Sequence, residues 1–390
     1  MPWKETCAME ERDAFLRAWW SGQFTMSELC QRFAVSRPTG YKWMRRGEAE
    51  GRQGLAERSR APHRHPNATA AAQVAAIVAL KRQHVTWGPV TLHDWLYRER
   101  PAVTWPAVST IGEILKRHGL VQSRSRGRPP VPPHTQPFAT VQAPNDVWSA
   151  DFKGHFPLGD GRRCHPLTIS DNYSRYLLCC QGMYRPEGMH TRACFEAVFR
   201  EYGLPRALRT DNGVPFASIA LGGLSALAVW LVKLDVMPER IEPGQPQQNG
   251  RHERMHRTLK AATANPPKGS LSAQQRAFNH FRHEYNDERP HRALGGGRRP
   301  GELYRPSTRG LPARTPEVTY PDDFAIRKVR QEGHMKWEGH EVFVSKTLAG
   351  EQVGLKSLDH DRWELYFGRL PLGILDARTH KILRPGTIKV

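Results

Sequence analysis

The chain has 390 residues, 38% of them hydrophobic, with Trp, Tyr and Phe spread throughout. That is enough for two or three domains with a sizeable core, and it excludes a disordered chain. A net charge of +20, distributed along the chain, points to a polyanionic partner such as nucleic acid. Basic ribosome-associated and membrane-surface proteins share that property. Six cysteines show no CxxC pair and no Cys/His set at zinc-ligand spacing. They read as reduced core residues of a cytosolic protein. No signal core opens the chain, and no apolar run approaches the ~20 residues that span a bilayer, so no membrane partner is expected. "ALGGLSALAVWLVKLDV" comes nearest and is interrupted by Lys233 and Asp235.

Residues 1–50 read as a helix-turn-helix unit. "ERDAFLRAWW" is a first helix, and "TMSELCQRF" a second, capped by Thr25 or Ser27. "SRPTGYKWMRR" is a third, with Ser36 as N-cap and Pro38 in the first turn. A recognition helix of this kind lies in the major groove, which makes Arg37, Thr39, Lys42 and Arg45 candidate DNA contacts. An ordinary helical hairpin with a solvated basic face fits the same pattern. Residues 51–67 are rich in Gly, Pro and Arg and read as a linker. Residues 68–121 form a second helical module, also ending in basic residues. Residues 122–143 are a basic, Pro-rich linker whose Arg124, Arg126 and Arg128 could follow phosphates.

Beyond Pro144 the pattern changes. "DVWSADFKGHF" alternates, with Trp148, Ala150 and Phe152 on one face and Ser149, Asp151 and Lys153 on the other. "CHPLTIS" and "RYLLCCQG" are two further strands joined by the turn "DNYS". "MHTRACFEAVFREYG" is an amphipathic helix ending at Gly203, "PRALRTDNG" a strand running into a turn, and "LSALAVWLVKLDV" a buried helix. "ERIE" is a short strand, "PGQPQQNG" a loop, and helices follow from Arg251 and over 272–287. This order predicts a mixed α/β layer over 144–288. Residues 289–316 look like a connector. The short strands of 317–390, among them "HEVFVS", "EQVGLKS", "RWELYFG" and "LGILDA", predict a small C-terminal β-barrel.

Three acids occupy distinctive places. Asp151 is mid-strand, opposite Trp148 and Phe152. Asp211 ends a strand before Asn-Gly. Glu253 stands in the first turn of a helix, the single Asp or Glu between Pro243 and His283. Each has an ordinary explanation: a solvated strand residue, a turn former, an acid complementing a helix dipole. Carboxylates at such places also suit Mg²⁺ or Mn²⁺, and two ions can support phosphoryl transfer.

"VWSADF", "LRTDNGVPF", "PGQPQQNGRHERMHRTLK" and "YNDERPHRALGG" together resemble the integrase core of insertion-sequence transposases, which share the RNase H-like fold with retroviral integrases. The resemblance covers roughly 144–305, and the preceding helix-turn-helix modules match the same transposases in order. It implies that Asp151, Asp211 and Glu253 form an Asp-Asp-Glu triad holding two Mg²⁺ or Mn²⁺ ions. Asp151 would bridge both, Asp211 would hold one and Glu253 the other. Water would cut a phosphodiester at the element end, and the freed 3′-OH would attack target DNA.

Forty-one residues separate Asp211 from Glu253, longer than usual for the family, with the excess expected in "VPFASIALGGLSAL". Helical spacing places His256, Arg257 and Lys260 near Glu253 as DNA contacts, with Met255, Leu259 and Ala262 inward. Gln247, Gln248 and Asn249 are uncharged donors that could touch DNA near the cut. Asp171 and Asp146 read as structural, and Tyr285, Asn286, Arg289, Pro290 and His291 as braces of the core. The expected partners are double-stranded DNA, as terminal inverted repeats and target, and further copies of the chain, in a bacterial cytoplasm at the nucleoid. Two other readings stay open: a helix-turn-helix regulator with an inactive core, and a metal nuclease that cuts without joining.

Overall fold

The structure is a computed structural model that describes residues 7–58, 68–121, 139–152, 154–218, 220–241 and 249–383. The chain divides into two compact units, residues 1–68 and 69–390.

In the first unit, α1 (Ala8–Trp20), α2 (Met26–Arg32) and α3 (Arg37–Glu50) pack around Phe15, Leu16, Leu29, Trp43 and Leu55. Thr25 caps α2 in a capping box with Glu28, and the Ser36 hydroxyl accepts from the Thr39 amide to start α3. The helix runs further than the sequence suggests. Gly51–Leu55 then forms a 3₁₀ turn that brings the fully buried Leu55 back onto the core, so this stretch belongs to the domain and not to a linker.

The second unit begins with α4 (Ala71–Gln83), α5 (Pro89–Glu99) and α6 (Val108–Arg117), which enclose Ile77, Trp87, Leu92, Leu96, Trp105 and Ile111. Next come β1 (Val147–Phe152), β2 (Phe156–Pro157), β3 (Arg163–Asp171), β4 (Leu177–Met183), α7 (Gly188–Tyr202), β5 (Ala207–Thr210), α8 (Ala226–Lys233) and β6 (Met237–Arg240). Two further helices, α9 (Gly250–Thr263) and α10 (Leu271–His283), complete this part. The sheet order is β2–β3–β1–β5–β6, with β4 also paired to β3. The β1–β3 and β3–β4 pairs are antiparallel, while β1–β5 and β5–β6 are parallel. This is the mixed layer expected of an RNase H-like core.

Both faces of the sheet are covered. Trp148, Ala150, Phe195, Phe199 and Trp230 pack between the sheet and α7 and α8. Met255, Leu259, Phe278 and Phe281 pack on the other side with Leu177 and Cys180. The alternation along β1 therefore separates two buried faces, and even Ser149 is buried.

The stretch read as a connector is part of the core. Tyr304, just after α11 (Pro300–Leu303), is buried and stacks on Tyr176 with ring centroids 4.5 Å apart. The chain then runs past the end of α7, where Gly203 has φ +76° and a Cβ would lie 2.6 Å from the Ser307 carbonyl oxygen. Only glycine meets both demands.

The remaining strands are β7 (Ala325–Lys328), β8 (His334–Trp337), β9 (His340–Phe343), β10 (Gln352–Ser357), β11 (Arg362–Phe367), β12 (Leu370–Asp376) and β13 (Lys381–Leu383). They pair as an open sheet, β13–β12–β11–β10–β7, and a separate β8–β9 hairpin. The hairpin lies beside β7 and β13, the two edges of that sheet. Among the described residues, the strand pairing closes no barrel.

The segment between Asp211 and Glu253 explains its own length. Leu221, Leu224, Ala228 and Val229 are buried in one cluster with Val329, Trp337, Leu355, Leu365, Phe367 and Leu372. The extra residues thus form the apolar seat of the C-terminal strands.

Candidate active site

Parallel pairing sets Trp148 beside Leu208 and Ser149 beside Arg209. Two residues further along, the same register carries Asp151 and Asp211 to neighbouring positions at the same end of adjacent strands. Asp211 follows β5 directly, and its Oδ1 accepts from the Gly213 amide at 3.1 Å. Asn212 is tied to the Ile241 carbonyl at 2.6 Å. Both aspartates are half-buried, whereas Glu253, in the first turn of α9, is exposed.

Helix α9 meets this end of the sheet through two histidines. His252 and His256 are 1% and 2% exposed, so both side chains point inward. The Thr168 hydroxyl lies 2.7 Å from His252 Nε2, 2.6 Å from His256 Nε2 and 3.2 Å from the Asp151 carbonyl oxygen. Ser170 Oγ lies 2.9 Å from His252 Nδ1. His256 Nδ1 lies 3.6 Å from Asp151 Oδ2. Burial pushes the His252 imidazole down to about 3, so it is neutral. Asp151 and Thr168 are directly opposed across β1 and β3, which is why one helix can reach both.

These positions correct two expectations. His256 is an interior residue beside Asp151 and not a surface DNA contact. Asn249 is likewise buried where α9 begins, and is not a donor offered to DNA. The inward stripe of α9 is His252, Met255, His256, Leu259 and Thr263, while Ala262 is exposed. That spacing of three, one, three and four is an ordinary buried helix face, and it was the signal available in the sequence. Glu253, Arg257 and Lys260 share the outer face and line a shallow concavity of about 350 Å³ with Ala261 and Asn265.

Other expected residues fall as follows. Arg37, Lys42 and Arg45 are exposed along α3, while Thr39 is half-buried with its hydroxyl 2.8 Å from that of Ser36. Arg124, Arg126, Arg128, Gln247 and Gln248 lie outside the described residues. Asp171 is a structural acid: it is buried and accepts from the Asn145 amide at 2.8 Å and from the Ser174 amide and hydroxyl at 2.7 and 2.6 Å. Asp146 accepts from the amides of Gln142 and Ala143. Asn286 brackets Leu177, bonding its amide at 2.8 Å and its carbonyl at 3.0 Å. A feature missed in the sequence is Arg175, whose guanidinium is pushed down to about 10 by burial and by nearby Arg251.

The donors available for a cation are carboxylate oxygens, which suit a hard divalent ion. Among the described residues, no three acids or histidines stand close enough to hold one together. Two aspartates in register, with Glu253 three residues before the histidine that touches Asp151, form an open set of ligands.

Comparison with known proteins places the segments. Two integrase core domain models match residues 141–246 and 234–297. A helix-turn-helix domain model matches residues 11–63, and a homeodomain-like domain model residues 39–115. The C-terminal domain of IS481 family transposases matches residues 324–383. An uncharacterized 39.2 kDa protein of insertion element IS476 from Xanthomonas euvesicatoria is 32% identical over 251 residues, 62% of this chain and 68% of the relative. An uncharacterized 31.7 kDa protein of insertion element IS407 from Burkholderia multivorans is 29% identical over 231 residues, 59% of this chain and 79% of the relative. The HTLV-2 integrase catalytic core domain, solved with magnesium, aligns with a TM-score of 0.34 at 16% identity, over 42% of this chain and 98% of its own. With helix-turn-helix segments first, an integrase core next and an IS481-type domain last, the chain belongs to the insertion-sequence transposases.

Proposed function

We propose that Asp151, Asp211 and Glu253 are the catalytic acids of this transposase. On this reading the second unit cuts DNA at the ends of a mobile element and joins the ends to target DNA. The observation that carries the proposal is the β1–β5 register, which brings Asp151 and Asp211 side by side while α9 packs against Asp151. Asp151 and Asp211 would hold one Mg²⁺ or Mn²⁺, and Asp151 with Glu253 a second. Such ions, when bound, activate an attacking oxygen and stabilise a leaving one in phosphoryl transfer.

The protein's own groups do the rest. Arg257 and Lys260, on the outer face of α9 with Glu253, would hold the phosphates of the strand being cut. Arg37, Lys42 and Arg45 on α3 would enter the major groove of a terminal repeat. Arg124, Arg126 and Arg128, with Gln247 and Gln248, would add contacts along the strand. Two element ends must be held together, so the active species would be a homo-oligomer on double-stranded DNA, at the nucleoid of a bacterial cytoplasm. Among the described residues, no helix is long and apolar enough to cross a membrane. We further propose that the hairpin β8–β9 and the edges β7 and β13 act as a barrel-like unit.

A strand-transfer assay with labelled terminal-repeat DNA and Mg²⁺ tests the proposal. Wild type should give joined products. Asp211→Asn and Glu253→Gln should bind the ends and yield none. Full activity in Glu253→Gln would overturn the triad, and cleavage without joining would favour a nuclease.

A further inference from the structure

We propose that His256 is a positioning residue for Asp151, held in place by a hydrogen-bond chain that runs one way from Ser170 through His252 and Thr168. The inference rests on the reading of Asp151 as a catalytic acid.

The argument is one of proton counting. Thr168 has a single hydroxyl proton, yet its oxygen lies within hydrogen-bond distance of two imidazole nitrogens. One of those nitrogens must therefore bring its own proton. On its other side His256 faces a carboxylate, 3.6 Å from Nδ1. An ionised carboxylate only accepts, so Nδ1 must carry the proton or two lone pairs would face each other.

With both imidazoles neutral, one arrangement satisfies every contact. His256 Nε2 is bare and accepts from the Thr168 hydroxyl. The Thr168 oxygen accepts from His252 Nε2–H. His252 Nδ1 is bare and accepts from the Ser170 hydroxyl at 2.9 Å. Every donor points toward Asp151. These side chains are all buried, where an unmatched polar atom is costly, so the arrangement is strongly preferred over mixed ones.

The consequence for Asp151 is directional. At 3.6 Å the His256 contact is electrostatic, too long for a hydrogen bond. It biases Oδ2 toward the helix and leaves Oδ1 for the site. Groups that orient a ligating carboxylate in this way commonly change metal affinity or activity by about 10–100-fold when removed. The chain also ties α9, and with it Glu253, to the strand that carries Asp151.

The test uses the full chain. Mn²⁺ binding is measured by titration calorimetry, and strand transfer is followed with terminal-repeat DNA. His256→Leu should weaken Mn²⁺ binding about tenfold and lower kcat, with KM for DNA unchanged. His256→Asn retains an amide donor at the place of Nδ1 and should recover most of both. In protein labelled with ¹⁵N-histidine, His256 should be the Nδ1–H tautomer and His252 the Nε2–H tautomer. Thr168→Val should disturb both signals, and Thr168→Ser should preserve them. The inference is overturned if His256→Asn is as impaired as His256→Leu, if His256 is found as the Nε2–H tautomer, or if His256→Leu binds Mn²⁺ normally while Asp151→Asn does not. Normal Mn²⁺ binding by Asp151→Asn would remove the site reading itself, and this inference with it.

Discussion

The helices at 71–117 and the strands at 325–383 both rest against the central core, and they are held there by different forces. The helical module is attached by polar groups. Glu284 Oε1, at the π turn that ends α10, accepts from Trp87 Nε1 at 2.7 Å and lies 3.2 Å from His84 Nδ1. Arg98 pairs with Glu302 at 2.6 Å, and Arg299 pairs with Glu99. The C-terminal strands instead share an apolar cluster with Leu221, Leu224, Ala228 and Val229, reinforced by Lys233–Glu351 at 2.8 Å. A buried Leu or Val contributes roughly 1.5–3 kcal/mol, an exposed ion pair about 0–1. The C-terminal attachment is therefore permanent, and the helical one is suited to release.

The largest effect should come from the apolar side. Leu224→Ala removes a fully buried side chain and should cost about 2–5 kcal/mol in denaturant unfolding, with core and C-terminal strands melting together. Two separate transitions would break the contrast. Next, Glu284→Ala leaves the Trp87 N–H and His84 without their acceptor. It should cost about 1–3 kcal/mol, seen as faster hydrogen exchange over 71–117 with 325–383 unchanged.

Acidity should sharpen the contrast. Burial alone would raise the Glu284 carboxyl, but His84 and Trp87 hydrogen bonds outweigh it and hold the group below its usual range. A depressed folded value means that the contribution is complete above the ordinary carboxylate value of about 4.3. It is lost as pH falls through the lower folded value. Hydrogen exchange over 71–117 should thus hold steady from pH 7 to 5 and rise below about 4. The smallest effect is Arg98→Ala, which removes a partly exposed pair. It should shift docking by about 1 kcal/mol or less, and the shift should shrink in high salt.

Much of this architecture was legible because local chemistry and global fold agree. Thr25 and Ser36 mark helix starts by their caps, and Gly203 ends α7 with a backbone that glycine favours. The position of Asp151 on the polar face of β1 was readable from alternation alone. What that alternation could not tell was that helices bury both faces, because period two distinguishes sides and not their coverings. His256 was misread for a related reason. Beside Arg257 and Lys260 it looks like one more cation, yet its spacing from His252, Leu259 and Thr263 puts it on the buried stripe. The docking of 71–117 through Glu284 depends on residues some 200 positions apart, and no local pattern encodes it.

The buried seat formed by Leu221, Leu224, Ala228 and Val229 also bears on how such transposases could be recombined with one another. In sequence, the C-terminal domain is a detachable block beginning after the core. In space, part of its interior is supplied from between the second and third acids. A chimera that exchanged only residues 324–383 would set a foreign surface on a mismatched seat. The exchangeable piece is discontinuous, and it includes the very stretch whose length departs from the family.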